Sequence, residues 1–394
     1  MNASLPVIAS FLAYLGLVLG IGALAYRRTH SIDDYLLGGR RLGPVVTALS
    51  AGASDMSGWL LLGLPGAVYL AGLREIWIGV GLVLGAWVNW LLVSRRLRLY
   101  SAVSHNALTL PDYFESRFRD HSRALRVASA SVILLFFTFY TASGLVGGAV
   151  LFESSFGLNY HVALVTGAVI IVSYTFLGGF LAVCWTDAVQ ATLMMAALLM
   201  APLLVWSATG GGTELFGILR ETGPGALQPL AGLTVLGWVS LCAWGLGYFG
   251  QPHILARFMA VGDPARLVQA RRIAMIWMVV VLLGAVMTGL AGKAYFAGDP
   301  LTNPETVFIL LSQQLFNPWI AGLVAAAILS AIMSTIDSQL LVSSSVISED
   351  FYRVFLRPQA SPRELLLVRA GGGDHCLAGF AGRHGSRQSC AGSG

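Results

Sequence analysis

Asp55 is the only formally charged residue between Arg41 and Arg74, and it stands inside an apolar run from Leu42 to Leu73. Around it the chain reads Ser50-Ala51-Gly52-Ala53-Ser54-Asp55-Met56-Ser57-Gly58-Trp59. Crossing a bilayer takes about 20 helical residues, so the run is long enough to span. An ionised Asp at the centre of such a helix costs about 2.5–3.5 kcal/mol on insertion scales. A bound cation or substrate would offset that cost. So would neighbouring hydroxyls around a buried carboxylate, and the residues alone leave both readings open.

A second stretch repeats the device. Ala243-Trp244-Gly245-Leu246-Gly247-Tyr248-Phe249-Gly250-Gln251-Pro252 places three glycines and a proline near the end of an apolar segment. Glycine costs about 1 kcal/mol against alanine in a helix interior and proline about 3, so an unwound or kinked helix is expected. Two interrupted helices in corresponding halves of a chain point to the binding site of a secondary transporter. Unwound carbonyls suit Na⁺, and half-helix N-termini suit a substrate carboxylate. The alternative is that the glycines serve close helix packing.

A third stretch, Ala331-Ile332-Met333-Ser334-Thr335-Ile336-Asp337-Ser338, offers the hydroxyls of Ser334 and Thr335 one turn beyond the Ala331 carbonyl. Hard cations take oxygen ligands of this kind. Hydroxyls in membrane helices also bond their own preceding carbonyls, which is the competing reading. Tyr140, Trp244 and Tyr248 could wall a small, partly apolar solute, or serve as packing aromatics.

The elements that position these residues follow from composition. Of 394 residues, 56% are hydrophobic and 11% charged. A soluble domain carries about 25% charged residues, and the mean hydropathy of +0.74 marks an all-α polytopic membrane protein. Nine spans are expected, at 5–26, 43–70, 73–94, 125–151, 160–180, 184–207, 231–250, 272–296 and 319–346. Nineteen Arg residues then fall in loops on one side, Arg257 among them, against Arg74, Arg220 and Lys293 on the other. The positive-inside rule makes the first side cytoplasmic and puts the N-terminus outside. The basic excess reads as topology and not as nucleic-acid affinity. Met1–Pro6 carries no Lys or Arg, so 5–26 reads as a retained span and not a secretory signal.

Loop chemistry completes the reading. Leu177-Gly178-Gly179-Phe180 is expected to form a tight cytoplasmic turn. Thr186-Asp187 follows, with Gln190 three residues on, which reads equally as a helix N-cap with its box partner or as a carboxylate on an ion's way to the cytoplasm. Asn106 to Asp112 reads as a turn into a short helix start. Cys184, Cys242, Cys376 and Cys390 show no metal spacing and imply no disulfide framework. Residues 1–368 form one transmembrane domain. Residues 369–394 lose periodicity and fill with Gly, Ser and Arg, as expected of a disordered, out-of-frame or truncated tail.

The stretches Leu37–Arg40, Ala48–Gly58, Gly178–Gln190 and Gly245–His253 together resemble the sodium/solute symporter family, over residues 5 to 368. The resemblance implies an inverted-repeat, leucine-transporter-type fold with one extra N-terminal helix and an incomplete second repeat. It implies Na⁺-coupled symport of L-proline by alternating access in a bacterial inner membrane, with Na⁺ as the co-transported ion, no cofactor, lipid as surroundings, and no obligatory protein partner. By resemblance Ala53, Met56, Ala331, Ser334 and Thr335 match the sodium ligands. Asp55, Arg40 and Asp187 match residues of sodium coupling. Ser57, Tyr140, Trp244, Tyr248 and Pro252 match the substrate path. Asp337 departs from the family's small neutral residue. Another small organic solute, a non-transporting truncated product, an intramembrane hydrolase using Asp55, Asp187 or Asp337, and a solute sensor are the other readings.

Overall fold

The computed structural model describes residues 4–29, 31–223, 225–361, 364, 365 and 368. The expected tail at 369–394, with Cys376 and Cys390, lies outside the described residues. Cys184 and Cys242 are free thiols.

The chain opens with α1 (Leu5–Tyr26) and a short α2 (Ile32–Leu37), whose Ser31 and Asp34 form a capping box. The first interrupted span follows. α3 (Pro44–Met56) begins on a proline at its first turn, where no N–H partner is lost. It stops at Ser57, whose φ of 32° no helix continues. A 3-10 turn over Gly58–Leu60 leads into α4 (Gly63–Ala71). The expected span 43–70 is thus two helices and a turn. α5 (Ile76–Leu92), α6 (Ser94–Val103) and α7 (Leu110–Phe118) come next, with Thr109 capping α7 through the Asp112 N–H. The long α8 (Ala124–Phe156) runs back across the molecule.

α9 (Tyr160–Ala208) is assigned as one helix, but Gly179 inside it has φ 59° and ψ −153°, which only glycine adopts without strain. The direction of travel reverses there. Gly167 lies against Phe152, which packs on Phe11 near the start of α1. Gly178 lies against Gly22 and Ala25 near its end. Gln190 then returns to Tyr14, donating to its hydroxyl at 2.9 Å. The turn expected at 177–180 is therefore a single-residue reversal, and the two expected spans 160–180 and 184–207 meet at it without a gap. The N-cap reading of Thr186-Asp187 is overturned. The helix resumes before Thr186, whose hydroxyl bonds back to the Ala182 and Val183 carbonyls.

After α10 (Gly212–Thr222) comes the second interrupted span. α11 (Val235–Ala243) tightens into a 3-10 segment over Trp244–Gly250, and α12 (Pro252–Met259) resumes as an α-helix. The expected boundary at 250 is corrected: the element continues nine residues further, to Met259. α13 (Leu267–Tyr295), the short α14 (Val307–Leu315) and α15 (Pro318–Ser345) complete the bundle, and α15 passes into a π-helical turn over Val346–Leu356.

Six of the described helical stretches are long and apolar enough to cross a membrane. The second interrupted span, Val235–Gly250, falls short of that length, while the half of the first that follows its break is counted within Gly58–Val103. α15 is the axis of the bundle, buried along nearly its whole length against α1, α3, α8 and α9. It is apolar on all sides but studded with Ser330, Ser334, Thr335, Asp337, Ser338 and Gln339, all buried. Leu12, Leu24, Phe136, Leu203 and Leu283 point outward, as a lipid-facing belt requires.

Candidate functional site

The two breaks meet. The Tyr248 hydroxyl, on the second, donates to Asp55 Oδ2, on the first. One turn further out, Trp59 stacks on Trp244 with ring centroids 5.4 Å apart and planes at 24°. Such offset stacking adds about 0.5–1.5 kcal/mol beyond buried area. Tyr140 on α8 brings its hydroxyl toward Ser57 and Asp55. Its ring lines a cavity of about 510 Å³ with Phe136, Phe137, Gly247, Gln251 and Pro252. Of the aromatic and proline residues picked from the sequence, Tyr140 and Pro252 share this cavity, while Trp244 and Tyr248 are placed by their contacts with Trp59 and Asp55.

The third wall is α15. Ser334 Oγ donates to the Ala53 carbonyl at 2.9 Å and lies 3.2 Å from the Ala331 carbonyl. Thr335 Oγ1 lies 3.3 Å from the same Ala331 carbonyl. Back-bonding thus describes Thr335, while Ser334 also reaches across to α3. Met56, the last residue of α3, and Ala53 are both buried. Four oxygens from two helices converge there: two carbonyls and two hydroxyls. Oxygens of this class, held where a helix ends, suit a hard monovalent cation.

A second cluster lies about one turn away, toward the start of α3. Ser50 sits a turn before Ala53 on α3, and Ser338 a turn after Ser334 on α15, advances of about 4.5 Å and about 6 Å. Between them Arg257 and Asp187 form a fully buried ion pair, Nη2 to Oδ2 at 3.0 Å. Asp187 also accepts from Ser50 Oγ at 2.6 Å. Arg257 spends its remaining donors on Ser50, Ser338 and the His253 carbonyl. Asp187 Oδ1 is buried with no partner among the described residues. Sequence reasoning put Asp187 at the cytoplasmic edge and counted Arg257 as a loop residue. The placement of Arg257 is corrected: it lies in α12, and both side chains are 0% exposed. Arg257 is the functional candidate that sequence reasoning missed. Its signal was its setting, five residues past Pro252 in the apolar stretch Ile254-Leu-Ala-Arg-Phe-Met259.

Arg40 does not join either cluster. Its guanidinium donates to Asn106 Oδ1, Ser101 Oγ and the Met259 and Ala107 carbonyls, at 2.8–3.0 Å. Beside it Leu42 and Ala260–Gly262 exchange backbone hydrogen bonds. Arg40 is thus a strap that ties the start of α3 and the end of α12 to the α6–α7 loop. Burial, and then the neighbouring Arg98, lower its pKa to about 10. Asp337 is buried beside Ser338, whose hydroxyl donates to its Oδ1 at 3.3 Å.

A family model described as the sodium:solute symporter family matches residues 35–372. The sodium/proline symporter of Salmonella typhimurium is 55% identical over 374 residues, covering 93% of this chain and 74% of the relative. The high-affinity proline transporter PutP of Bacillus subtilis is 52% identical over 355 residues, covering 89% of this chain and 75% of that one. Among solved structures, a Na⁺-coupled sialic acid symporter in a substrate-bound, outward-open state superposes with a TM-score of 0.85 at 19% identity, over 95% of this chain and 80% of that chain.

Proposed function

The chain belongs to the sodium:solute symporter family, and we propose from that premise how its site carries out Na⁺-coupled symport of L-proline. It is a secondary transporter with the leucine-transporter-type inverted-repeat fold. Na⁺ is its co-transported ion.

The observation that carries the reading is the approach of Ser334 Oγ to the Ala53 carbonyl across the α3–α15 gap. Na⁺ lies between those helices, held by the carbonyls of Ala53, Met56 and Ala331 and the hydroxyls of Ser334 and Thr335. Binding requires Ser334 to turn its proton away from Ala53, so that both oxygens offer lone pairs to the ion. Asp55 adds negative charge at the end of α3, where the helix dipole is already negative. Asp187 stands a turn further in, paired with Arg257, and supports the ion's path to the cytoplasm.

Proline brings an ammonium, a carboxylate and a small apolar ring. Asp55 and the Ser57 and Tyr140 hydroxyls form the polar end of its site. Trp244, Tyr248 and Pro252 line the apolar end. Because Tyr248 bonds Asp55, a cation that orders the end of α3 also orders the substrate wall, which gives a direct route for coupling. Each Na⁺ that enters brings about 2.3 kcal/mol per 100 mV of membrane potential. The arginine distribution, even without the buried Arg257, favours an N-terminus outside a bacterial inner membrane.

Uptake of labelled L-proline into membrane vesicles, with and without a Na⁺ gradient, tests the reading. Uptake that rises strongly with Na⁺ is expected. Sodium-independent uptake, or transport of another solute with none of proline, overturns it.

A further inference from the structure

α5 lies along the 3-10 segment Trp244–Gly250 in a matched register. An α-helix advances about 6 Å in four residues, and a 3-10 helix about 6 Å in three. Positions 81, 85 and 89 of α5 therefore keep step with positions 242, 245 and 248. At the first two steps the backbones touch. A Cβ on Gly81 would lie 2.2 Å from the Cys242 carbonyl oxygen, and one on Gly85 would lie 2.0 Å from that of Gly245. The third step is Asn89, which is fully buried and donates from Nδ2 to the Tyr248 carbonyl at 3.0 Å. Only the amide nitrogen can donate to a carbonyl, so the contact itself fixes the orientation of the amide.

That carbonyl needs an outside donor. In the 3-10 segment it occupies, its donor would be the N–H of Gln251, and in an α-helix that of Pro252, which has none. Gln251 has left helical geometry, with φ −88° and ψ 100°. An unmet buried carbonyl in a membrane span is costly, and a neighbouring helix is a source of its partner. Asn89 Oδ1 is buried with no partner among the described residues, which is not an arrangement that packing alone would favour.

We propose that Asn89 is a positioning residue of the transport site: it caps the Tyr248 carbonyl orphaned before Pro252 and so aims the Tyr248 hydroxyl at Asp55. This rests on the symport reading above for its effect on ligands. The backbone contact does not. Asn89 touches neither Na⁺ nor proline and acts through Tyr248.

The test pairs two measurements on Asn89→Ala and on Asn89→Leu, which keeps the side chain's size but loses the donor. The first is hydrogen–deuterium exchange of the protein in nanodiscs. Amides of 244–251 should exchange several-fold faster in both variants, with those of α13 unchanged; wild-type rates in 244–251 overturn the capping role. The second is Na⁺-dependent proline binding. Affinity for proline at saturating Na⁺ should fall about tenfold, roughly the worth of one buried hydrogen bond. In a Tyr248→Phe background the same substitutions should add less than about twofold, because coupled residues are not additive. A full, additive loss there overturns the route through Tyr248. A chain that binds no proline with Na⁺ present refutes the symport reading instead, and the exchange measurement still decides the cap.

Discussion

Tyr248 donates its hydroxyl to Asp55, and so the two interrupted spans are joined at the point where each is broken. A bond from the 3-10 segment to the last turn of α3 means that neither break is set independently. It also explains how a carboxylate can sit mid-span: Asp55 has a donor on one side and the sodium-type oxygens a turn behind it.

Asp55→Asn keeps the size and removes the charge. Sodium-driven proline uptake should fall by at least tenfold, with the protein still present in the membrane. The check is uptake at fixed proline over a range of Na⁺ concentration, normalised to protein amount. An unchanged Na⁺ dependence would remove Asp55 from the coupling site.

Ser334→Ala deletes a hydroxyl that bridges α15 to the Ala53 carbonyl of α3. Its expected effect is on the ion and not on the solute: about tenfold weaker apparent Na⁺ affinity, with proline affinity recovering at saturating Na⁺. Direct ²²Na⁺ binding separates the two. A loss of proline affinity that high Na⁺ does not rescue would place Ser334 on the substrate instead.

Arg257→Met leaves Asp187 charged, buried and unpaired. Breaking a buried ion pair from one side costs about 3–5 kcal/mol. The variant should lower the unfolding temperature in detergent by several degrees and reduce the amount in the membrane. Adding Asp187→Asn should restore most of the stability without restoring transport. A single variant as stable as wild type would show that the pair carries no structural weight.

Arg40→Lys keeps the charge but cannot reproduce a fork that reaches four acceptors at once. The expected outcome is a several-fold lower maximal rate with less than about twofold change in Na⁺ affinity, since the strap lies away from the sodium-type oxygens. Uptake kinetics over Na⁺ concentration give both values. A dominant change in Na⁺ affinity would mean that Arg40 acts on the ion site through the strap.

Much was legible in the sequence because the bilayer narrows the choices. Composition determined an all-helical membrane protein. The glycine, proline and hydroxyl content of Ser50–Trp59 and Ala243–Pro252 determined where helices break, since propensity costs there are local. Spacing on Ala331–Ser338 put two hydroxyls beside one carbonyl. The family's motifs, Gly245–His253 above all, identified the kind of transporter.

Other features were decided only by the tertiary structure, and for one physical reason: a local pattern carries no information about partners far along the chain. Arg257 reads as a loop arginine until Asp187, 70 residues earlier, is folded against it. Thr186-Asp187 reads as a cap until the reversal at Gly179 carries the helix past it. Arg40 reads as one more cytoplasmic charge until Ser101, Asn106 and Met259 close around its guanidinium. Asn89 is a lone amide in an apolar helix, and only the register of α5 against the 3-10 segment shows which carbonyl it serves. Sequence fixes the local cost of each break or buried charge; the fold alone supplies the group that offsets it.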